Sequence, residues 1–322
     1  MAKELTALEL FCGIGGFAAA VADANVRIVG ALDQSPVALS VYHLNFPDHG
    51  ARQVDLERIS ATELADYGAD LWWLSPPCQP YSVRGRQRDL DDPRARSLAR
   101  ILKLLPHVPH DRLPRHLALE NVAGFARSQA RELLVKFLSR HDYQLREQQL
   151  CPTELGVPSR RPRYYLLASR DGLAPPQPVV HSPLQPLRDY LNPAFAGDAA
   201  ANLLLSPQQV TRFGAGLRML DPDAATAYTT CFTAGYGKSL MHAGAYLHCA
   251  AGVRRFAPEE IARLLHFPPL FQFPESLPLR KCWHLLGNSL SVAAVRAVLR
   301  ALPALSAPDP EVPPRSTAVA VE

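Results

Sequence analysis

Short apolar runs alternate with segments of helical spacing along the first half of the chain. The apolar runs occupy residues 5–11, 27–32, 70–74 and 116–119, and two further strand-like segments occupy 143–150 and 163–168. Apolar residues recur at helical spacing in residues 18–24, 36–44, 98–105 and 130–140. Strands that alternate with helices are typical of an α/β fold, so the pattern predicts a mostly parallel sheet with helices on both faces.

The pattern weakens after Gly172, where prolines become frequent at positions 175, 176, 178, 183 and 186. Such a stretch is typical of a linker into a second, smaller region. Helical spacing returns at residues 258–265 and 290–302, before a tail rich in proline, alanine and valine. We therefore expect a larger domain of residues 1–172 and 282–302, a smaller domain of residues 173–281 and a disordered tail at 303–322.

Residues with possible chemistry follow the ends of the predicted strands. A glycine-rich loop at residues 12–16 follows the first strand, Asp33 the second, Cys78 the third and Glu120 the fourth. In open parallel sheets, ligands bind outside the carboxyl ends of the strands. We therefore expect these four features to gather along one edge of the sheet.

Composition narrows the class of protein only slightly. A net charge of +4 over 322 residues permits a nucleic-acid partner without requiring one. The six cysteines contain no Cys-x-x-Cys pair, which argues against a metal site and a disulfide framework and favours a reducing compartment. No apolar run reaches the roughly 18 residues of a membrane span. We expect a cytoplasmic protein, monomeric and without a membrane partner.

The loop Phe11-Cys12-Gly13-Ile14-Gly15-Gly16 is a candidate cofactor site. Its glycines let a ligand approach the backbone closely, and the N-terminus of a helix follows. It lacks the Gly-x-Gly-x-x-Gly spacing of a dinucleotide site. Asp33 is placed to accept hydrogen bonds from ribose hydroxyls, and Asp55 from an adenine amino group. A tight turn without a ligand is the alternative, and Asp33 in register favours the cofactor site.

The segment Ser75-Pro76-Pro77-Cys78-Gln79-Pro80-Tyr81-Ser82 holds a candidate nucleophile. A free cysteine is usually a small buried apolar residue. Two prolines stiffen the backbone before Cys78, which favours a nucleophile held at a strand end. Only the thiolate attacks, so nearby cations raise the reactive fraction. Arg84, Arg86 and Arg88 in the polar loop that follows are candidates for this role.

Four further segments are ambiguous when taken alone. Glu120 is a candidate general acid or a capping residue, and Arg163 a candidate carbonyl or phosphate contact or a surface ion pair. Gly287-Asn288-Ser289 is predicted to open the last helix as an N-cap. Cys231-Phe232-Thr233-Ala234-Gly235-Tyr236-Gly237 is predicted to be a strand and a turn.

Together these segments resemble the cytosine-C5 methyltransferase family, in the order that this family uses. Residues 11–16 resemble its cofactor loop, Pro77-Cys78-Gln79 its nucleophile motif and Glu120-Asn121-Val122 its acid motif. Arg161-x-Arg163 and Gly287-Asn288-Ser289 are similar to its paired-arginine and C-terminal motifs. The resemblance spans nearly the whole chain and implies a Rossmann-like S-adenosylmethionine-dependent methyltransferase fold with a small target-recognition domain.

Within the family, the chain resembles the branch that looks like a DNA methyltransferase but modifies transfer RNA. Three segments carry this resemblance: residues 231–237, Gly85-Arg86-Gln87 after the nucleophile, and the C-terminal residues 255–262 and 267–269. The implied activity is C5 methylation of a tRNA cytosine, cytosine 38 in the anticodon loop of aspartate tRNA. That branch commonly has Phe-Thr where this chain has Tyr81-Ser82, and Ser82 is closer to the DNA enzymes.

The resemblance implies a mechanism and a set of site residues. The Cys78 thiolate adds to cytosine C6, Glu120 hydrogen-bonds N3 and the exocyclic amine, and Arg163 contacts O2, with Arg161 completing the catalytic set. The base must leave its stack to be attacked. The implied cofactor-binding residues are Phe11, Gly13, Ile14, Gly15, Gly16, Asp33, Gln34, Asp55, Leu56, Pro76, Leu98, Asn288 and Ser289. The implied substrate-binding residues are Arg84, Arg86, Gln87, Cys231, Phe232, Thr233 and Tyr236.

Three other functions remain alternatives. A DNA cytosine-C5 methyltransferase with a minimal recognition domain is the nearest, although the small second region leaves little room to read a long DNA sequence. A non-enzymatic binding protein with the cofactor fold is opposed by the presence of the whole candidate catalytic set. A nicotinamide-dependent reductase is opposed by the glycine spacing and by the loop at Cys78.

Overall fold

A seven-stranded sheet forms the centre of the protein in a computed structural model that describes residues 4–82, 87–176, 182–196 and 198–305. Its strands are β1 (Leu5–Leu10), β2 (Val26–Asp33), β3 (Ala51–Gln53), β4 (Leu71–Leu74), β5 (His116–Asn121), β6 (Gln144–Leu150) and β7 (Arg163–Ser169). Their order is β3-β2-β1-β4-β5-β7-β6, and only β7 runs antiparallel to its neighbours. The predicted mostly parallel α/β sheet is confirmed.

Helices cover both faces of this sheet, as predicted. They are α1 (Gly16–Val21), α2 (Pro36–Asn45), α3 (Ala61–Asp66), α4 (Arg96–Leu104) and α5 (Gln129–Ser139). Residues of α1 and α2 join the apolar cluster on one face, and residues of α3, α4 and α5 join the cluster on the other. Serine caps fix several starts: the hydroxyls of Ser35, Ser60 and Ser128 each accept a hydrogen bond from the first turn of α2, α3 and α5.

The strand register brings the strand ends to one level. Leu10 pairs with Leu74, and Leu74 pairs with Leu119, so the residues that follow these strands emerge side by side. Because β7 runs the other way, its first residue lies at the edge where β5 ends. Glu120 is accordingly paired with Tyr165, two residues after Arg163. The predicted gathering of chemical groups at one sheet edge therefore follows from topology.

The described residues after β7 form a small three-stranded sheet and four helices, of which α9 and most of α8 lie in the segment 282–302 that was predicted to belong to the larger domain. These elements are α6 (Pro207–Phe213), β8 (Met219–Leu220), β9 (Tyr246–Cys249), β10 (Gly252–Arg255), α7 (Pro258–Leu264), α8 (Leu279–Asn288) and α9 (Val292–Leu299). One continuous apolar cluster joins this region to the α1 and α2 face of the large sheet. The boundaries of the two domains stay a prediction. Of the predicted tail, Pro303–Leu305 forms a 3₁₀ turn, and residues 306–322 lie outside the described residues.

One helix boundary differs from the prediction. Gly287 and Asn288 end α8 rather than open the last helix, and Ser291 caps α9 by accepting a hydrogen bond from Ala294 N–H. The break between the two helices is Ser289, which has extended backbone. The span Leu279–Leu299 is long and apolar enough for a membrane helix, but 61% of its most apolar window is buried inside the protein. These two helices therefore behave as core helices of the fold.

Candidate active site

A cavity of about 690 Å³ opens at the carboxyl edge of the parallel strands. All four predicted catalytic residues line it: Cys78, Glu120, Arg161 and Arg163. Ten predicted cofactor residues also line it: Phe11, Gly13, Ile14, Gly16, Asp33, Gln34, Leu56, Pro76, Asn288 and Ser289. This volume lies within the usual range for cofactor and ligand pockets. The cavity therefore unites residues that lie far apart in the sequence.

The glycine-rich loop holds an unusual backbone conformation at the floor of the cavity. Phe11, Gly13 and Gly15 have φ values of 60°, 56° and 86°. A phenylalanine in the left-handed region is disfavoured by roughly 1–3 kcal/mol and persists only where the surrounding structure enforces it. Asp33 supplies part of that constraint, because its Oδ2 accepts a hydrogen bond from Gly13 N–H at 2.9 Å and its Oδ1 one from Ser35 N–H at 2.8 Å.

Three predicted cofactor residues do not line the cavity. The exposed Asp55 carboxylate forms an ion pair with Arg58 at 3.4 Å and accepts a hydrogen bond from Glu57 N–H. Leu98 is buried in the apolar core beneath the sheet. Gly15 has left-handed backbone in the turn before α1, and an added Cβ there would lie 2.5 Å from the Phe46 ring. Glu57, which the sequence did not single out, lines the cavity instead of Asp55.

The loop that carries Cys78 is fixed from the neighbouring strand. Asn121, at the end of β5, donates a hydrogen bond from Nδ2 to the Pro76 carbonyl at 3.0 Å and is almost fully buried. Gly124 allows the next turn to pass against the Tyr81 carbonyl, which would lie 2.1 Å from an added Cβ. These contacts place the Cys78 thiol in the cavity wall without relying on its own side chain.

Burial and neighbouring charges act in opposite directions on the pKa of Cys78. Burial raises the pKa of the thiol, and the positive charges of Arg163 and Arg161 partly counteract it, while Glu120 adds to the rise. Among the described residues, the positive charges that lower the pKa of the thiol belong to Arg163, at the start of β7, and Arg161, just before it, and Arg94 in the polar loop also interacts with the thiol. Arg88, which was a candidate for this role, is not among these groups. Arg84 and Arg86 lie outside the described residues.

Glu120 and Arg163 form a nearly buried ion pair beside the thiol. Arg163 Nε lies 3.2 Å from Glu120 Oε1, and the two side chains are 12% and 10% exposed. Burial raises the pKa of Glu120, and Arg163 and Arg161 act to lower it. A carboxyl group under these opposing influences can exchange a proton with a ring nitrogen, which is the role expected of a general acid.

Arg161 ties the second region to the sheet edge. Its Nη1 donates to the Phe232 carbonyl at 3.1 Å, and its Nη2 donates to the carbonyls of Gly287, at 3.2 Å, and Ser289. It is 3% exposed and has no carboxylate within ion-pair distance among the described residues. Although Arg161 lines the cavity, its contacts are those of a residue that positions other groups.

The segment 231–237 supports the site from behind. Cys231 Sγ accepts hydrogen bonds from Arg161 Nη1 at 3.2 Å and Arg163 Nη2 at 3.7 Å. Burial acts to raise the pKa of Cys231, but the two arginines hold it below the usual value for a thiol.

None of the predicted substrate residues that the structure describes lines the cavity. Phe232 and Tyr236 are buried core residues, and the Tyr236 hydroxyl donates to Ala245 and accepts from Phe256 N–H. The Thr233 hydroxyl accepts a hydrogen bond from Gly235 N–H, and Gln87 is exposed. Packing and local hydrogen bonds occupy the side chains of Phe232, Thr233 and Tyr236, so the structure gives no support to substrate contact by these three residues, whereas contact by the exposed Gln87 stays a prediction.

Basic side chains flank the mouth of the cavity on two sides. Lys281 and His284 project from α8 at a spacing of three residues, Arg96 is the first residue of α4, and Arg94 lies in the 3₁₀ turn just before it. All four are exposed, although Arg94 is also paired with Asp92 at 2.7 Å. The sequence analysis did not single out this group, because helix α8 was not predicted and Arg94 and Arg96 belong to the polar loop that follows Cys78.

Comparisons with known proteins agree with this geometry. Residues 5–212 match the family described as C-5 cytosine-specific DNA methylase. The chain is 32% identical to a tRNA (cytosine(38)-C(5))-methyltransferase of Schizosaccharomyces pombe, covering 93% of this chain and 97% of that protein. It is 29% identical to a Homo sapiens protein of the same name, covering 93% of this chain and 99% of that protein.

The solved structures give the same result. The crystal structure of S. pombe Dnmt2 methyltransferase matches with a TM-score of 0.80 and 30% identity, covering 93% of this chain and 98% of that chain. The cavity, with its glycine-rich loop and Asp33, has the size and polar groups that S-adenosylmethionine requires. The chain therefore belongs to the C-5 cytosine-specific DNA methylase family and is a methyltransferase that uses S-adenosylmethionine as its methyl donor.

Proposed function

We propose that this protein methylates carbon 5 of a cytosine in transfer RNA, and that its target is cytosine 38 in the anticodon loop of aspartate tRNA. The observation that carries the proposal is the grouping of Cys78, Glu120 and Arg163 around one cavity in a chain that aligns over 93% of its length with tRNA (cytosine(38)-C(5))-methyltransferases. The recognition region is small, which suits a hairpin loop better than a long duplex.

Each catalytic side chain has a role in this proposal. The Cys78 thiolate adds to C6 of the cytosine, and Arg163 and Arg161 stabilise its negative charge. Glu120 hydrogen-bonds N3 and the exocyclic amine, and its ion pair with Arg163 fixes its orientation. Arg163 contacts O2. The glycine-rich loop, Asp33, Leu56 and the Asn288–Ser289 turn would hold S-adenosylmethionine, which would supply the methyl group for C5. Loss of the C5 proton then breaks the bond between C6 and Cys78 and restores the ring.

The mouth of the cavity suits a nucleic-acid loop. A cytosine cannot be attacked while stacked, and a base in a hairpin loop costs less to extrude than a paired one. Lys281 and His284 on one side and Arg94 and Arg96 on the other are placed to contact the phosphates beside an extruded base. We propose these four residues as substrate contacts in place of Phe232 and Tyr236.

The test is methylation of purified nucleic acids with radiolabelled S-adenosylmethionine. Total tRNA, aspartate tRNA transcript, the same transcript with cytosine 38 replaced by uridine, and duplex DNA are compared. We expect label in total tRNA and in the unmodified transcript only, and bisulfite sequencing then places the methyl group. Label in DNA alone would overturn the proposal.

DNA remains the alternative substrate because of one residue. Ser82 stands where the tRNA branch commonly has threonine and is closer to the DNA enzymes. The methylation assay with tRNA and duplex DNA side by side separates the two functions.

We further propose that the protein acts as a cytoplasmic monomer. All six cysteines are free thiols in the structure, which suits a reducing compartment. Size-exclusion chromatography with light scattering and fractionation of the source cells test the two parts of this proposal separately.

A further inference from the structure

Glu9 is a carboxyl group in the cavity wall that the chemistry at Cys78 does not use. It lies on β1, is 1% exposed and lines the cavity beside the glycine-rich loop. Its carboxyl accepts hydrogen bonds from the backbone of Phe17 and Ala18 in α1. It takes part in no ion pair among the described residues. A buried carboxyl without a cationic partner is costly to ionise unless a ligand supplies the positive charge.

A chain of hydrogen bonds connects Glu9 to the surface. Tyr42 Oη lies 3.0 Å from Glu9 Oε2 and 3.2 Å from His49 Nδ1. Tyr42 is fully buried, whereas His49 is only partly buried and stacks on Phe46 with ring centroids 5.3 Å apart. The three groups form a continuous path from the cavity wall to solvent.

The surroundings of Glu9 favour its protonated form. Burial raises the pKa of Glu9 to about 8, against the lowering effect of the Tyr42 hydrogen bond. The titratable groups that face it are Asp33 from β2, Cys12 from the loop, Tyr42 from α2 and, behind Tyr42, His49, while α1 presents backbone N–H groups. Burial lowers the pKa of His49, so this imidazole is a neutral proton acceptor at pH 7.

We propose that Glu9 is a specificity-determining residue that distinguishes the sulfonium methyl donor from its neutral thioether product by charge, with Tyr42 and His49 carrying away the proton that Glu9 releases. A cation in the cavity favours the carboxylate over the carboxylic acid, and by linkage the carboxylate binds the cation more tightly. Once the methyl group has left, the sulfur is neutral and this attraction ends, which favours release of the product.

The proton path balances. The Glu9 O–H donates its proton to Tyr42 Oη, the Tyr42 hydroxyl proton passes to His49 Nδ1, and His49 delivers a proton to solvent. Glu9 becomes a carboxylate, and Tyr42 and His49 return to their neutral forms. The inference depends on the methyl donor of the family and not on which nucleic acid is methylated, so its failure and that of the tRNA proposal are distinguishable.

The experiment is calorimetric titration of the protein with S-adenosylmethionine and with S-adenosylhomocysteine between pH 6.5 and 9, without nucleic acid. Buffers of different ionisation enthalpy report the protons released. For the wild type at pH 7, we expect the donor to release close to one proton and the product less than half as many. In Glu9→Gln the difference disappears, and donor affinity at pH 8.5 falls at least about tenfold, with product affinity changing less than about threefold.

Two further variants separate charge recognition from structural support. Tyr42→Phe keeps Glu9 and its backbone contacts but removes the hydroxyl that favours the carboxylate, so the pH midpoint of donor binding moves upward. Tyr246→Phe removes a hydroxyl bonded to the Leu240 carbonyl outside the cavity and leaves the midpoint unchanged. The titrating amine of the ligand is the same for every variant, so differences between variants report on the protein.

Some results would overturn the inference. One is an equal loss of affinity for donor and product in Glu9→Gln, which is the result expected if Glu9 only caps α1. Another is unchanged proton release in that variant. If Glu9→Gln does not fold, Tyr42→Phe alone tests the inference. An unshifted pH midpoint of donor binding in Tyr42→Phe would contradict the role of the hydrogen-bond chain and of Glu9.

Discussion

The two walls of the cavity are built by different means. The sheet edge contributes side chains that face the cavity, with Cys78 after β4, Glu120 at the end of β5 and Arg163 at the start of β7. The other wall is formed by the end of α8 and the turn that follows it, with segment 231–237 packed behind them, and Arg161 donates hydrogen bonds to backbone carbonyls of both segments. Arg161 is the only described residue that donates side-chain hydrogen bonds to both of these segments.

This difference explains which substitutions each wall tolerates. At the sheet edge the backbone is fixed by strand pairing, so a changed side chain alters chemistry more than structure. On the opposite wall the backbone position depends on close packing and on one buried guanidinium, so a change there alters structure and, through it, chemistry. Substitutions on the two walls should therefore differ in the ratio of activity loss to stability loss.

The largest effect is expected from Cys78→Ala. Loss of the nucleophile should lower methylation by more than a thousandfold, because the covalent step is removed. The melting temperature and the affinity for S-adenosylmethionine should stay near wild type, since Asn121 holds the loop through the Pro76 carbonyl. Radiolabel incorporation, thermal unfolding and calorimetry measure the three quantities. Cys249→Ala, in β9 of the second region, is the matched control and should methylate normally.

Arg161→Lys and Arg163→Lys test the contrast directly. A lysine at 161 keeps the charge but cannot reach three carbonyls, so the free energy of unfolding should fall by about 2–4 kcal/mol, with loss of activity. A lysine at 163 should lower kcat more than tenfold while changing stability by less than about 1 kcal/mol. Chemical denaturation and steady-state kinetics check both variants. Equal stability losses would mean that both arginines serve the same wall.

The contrast between the two walls also explains which parts of the site could be predicted from the sequence. Strand alternation and the rule for parallel sheets were sufficient to place Cys78, Glu120 and the glycine-rich loop together, because topology alone brings strand ends to one edge. The short β3 and the six-residue α3 were missed, since Ala51–Gln53 and Ala61–Asp66 are too brief to show a period. Their absence from the prediction did not affect the site.

Predictions for the second wall were weaker for a physical reason. Phe232 and Tyr236 were predicted from a resemblance of segment 231–237 to a branch of the family, and such a resemblance does not distinguish a residue that touches substrate from one that packs in the core. Because Gly287 was predicted to start a helix, the sequence analysis did not identify α8 or its exposed face with Lys281 and His284. The sequence does contain a signal for α8, because helical spacing over residues 279–288 places Cys282, Leu285 and Leu286 on one buried side.

Alanine variants of two glycines compare the two walls by a smaller change, because each glycine lies directly against backbone. A Cβ at Gly287 would lie 2.2 Å from the Thr233 carbonyl carbon, and one at Gly124 would lie 2.1 Å from the Tyr81 carbonyl oxygen. Both alanine variants must shift backbone, at a cost of about 1–3 kcal/mol. Gly124→Ala should displace the Cys78 loop and lower kcat, whereas Gly287→Ala should weaken S-adenosylmethionine binding through Asn288 and Ser289.

Gly214→Ala is the control for both glycine variants. Its nearest neighbour lies 3.9 Å from the added Cβ, so unfolding and kinetics should match wild type. If Gly124→Ala and Gly287→Ala show the same kinetic pattern, the two walls do not act separately.

The smallest expected effect is the pH dependence of stability at Glu9. Its folded pKa of about 8 lies above the ordinary value of 4.5, so the folded protein holds more protons than the unfolded chain between those pH values. Stability therefore falls as pH rises through this window. Glu9→Gln removes the titrating group, so the variant should gain a few degrees in melting temperature relative to wild type at pH 8.5 and little at pH 5.

S-Adenosylmethionine, a cation that favours the carboxylate, should reduce that gain at pH 8.5, whereas S-adenosylhomocysteine should leave it unchanged. A gain that is the same at both pH values would mean that Glu9 is ionised throughout, and the sheet edge would then hold a fixed charge rather than one that responds to the ligand.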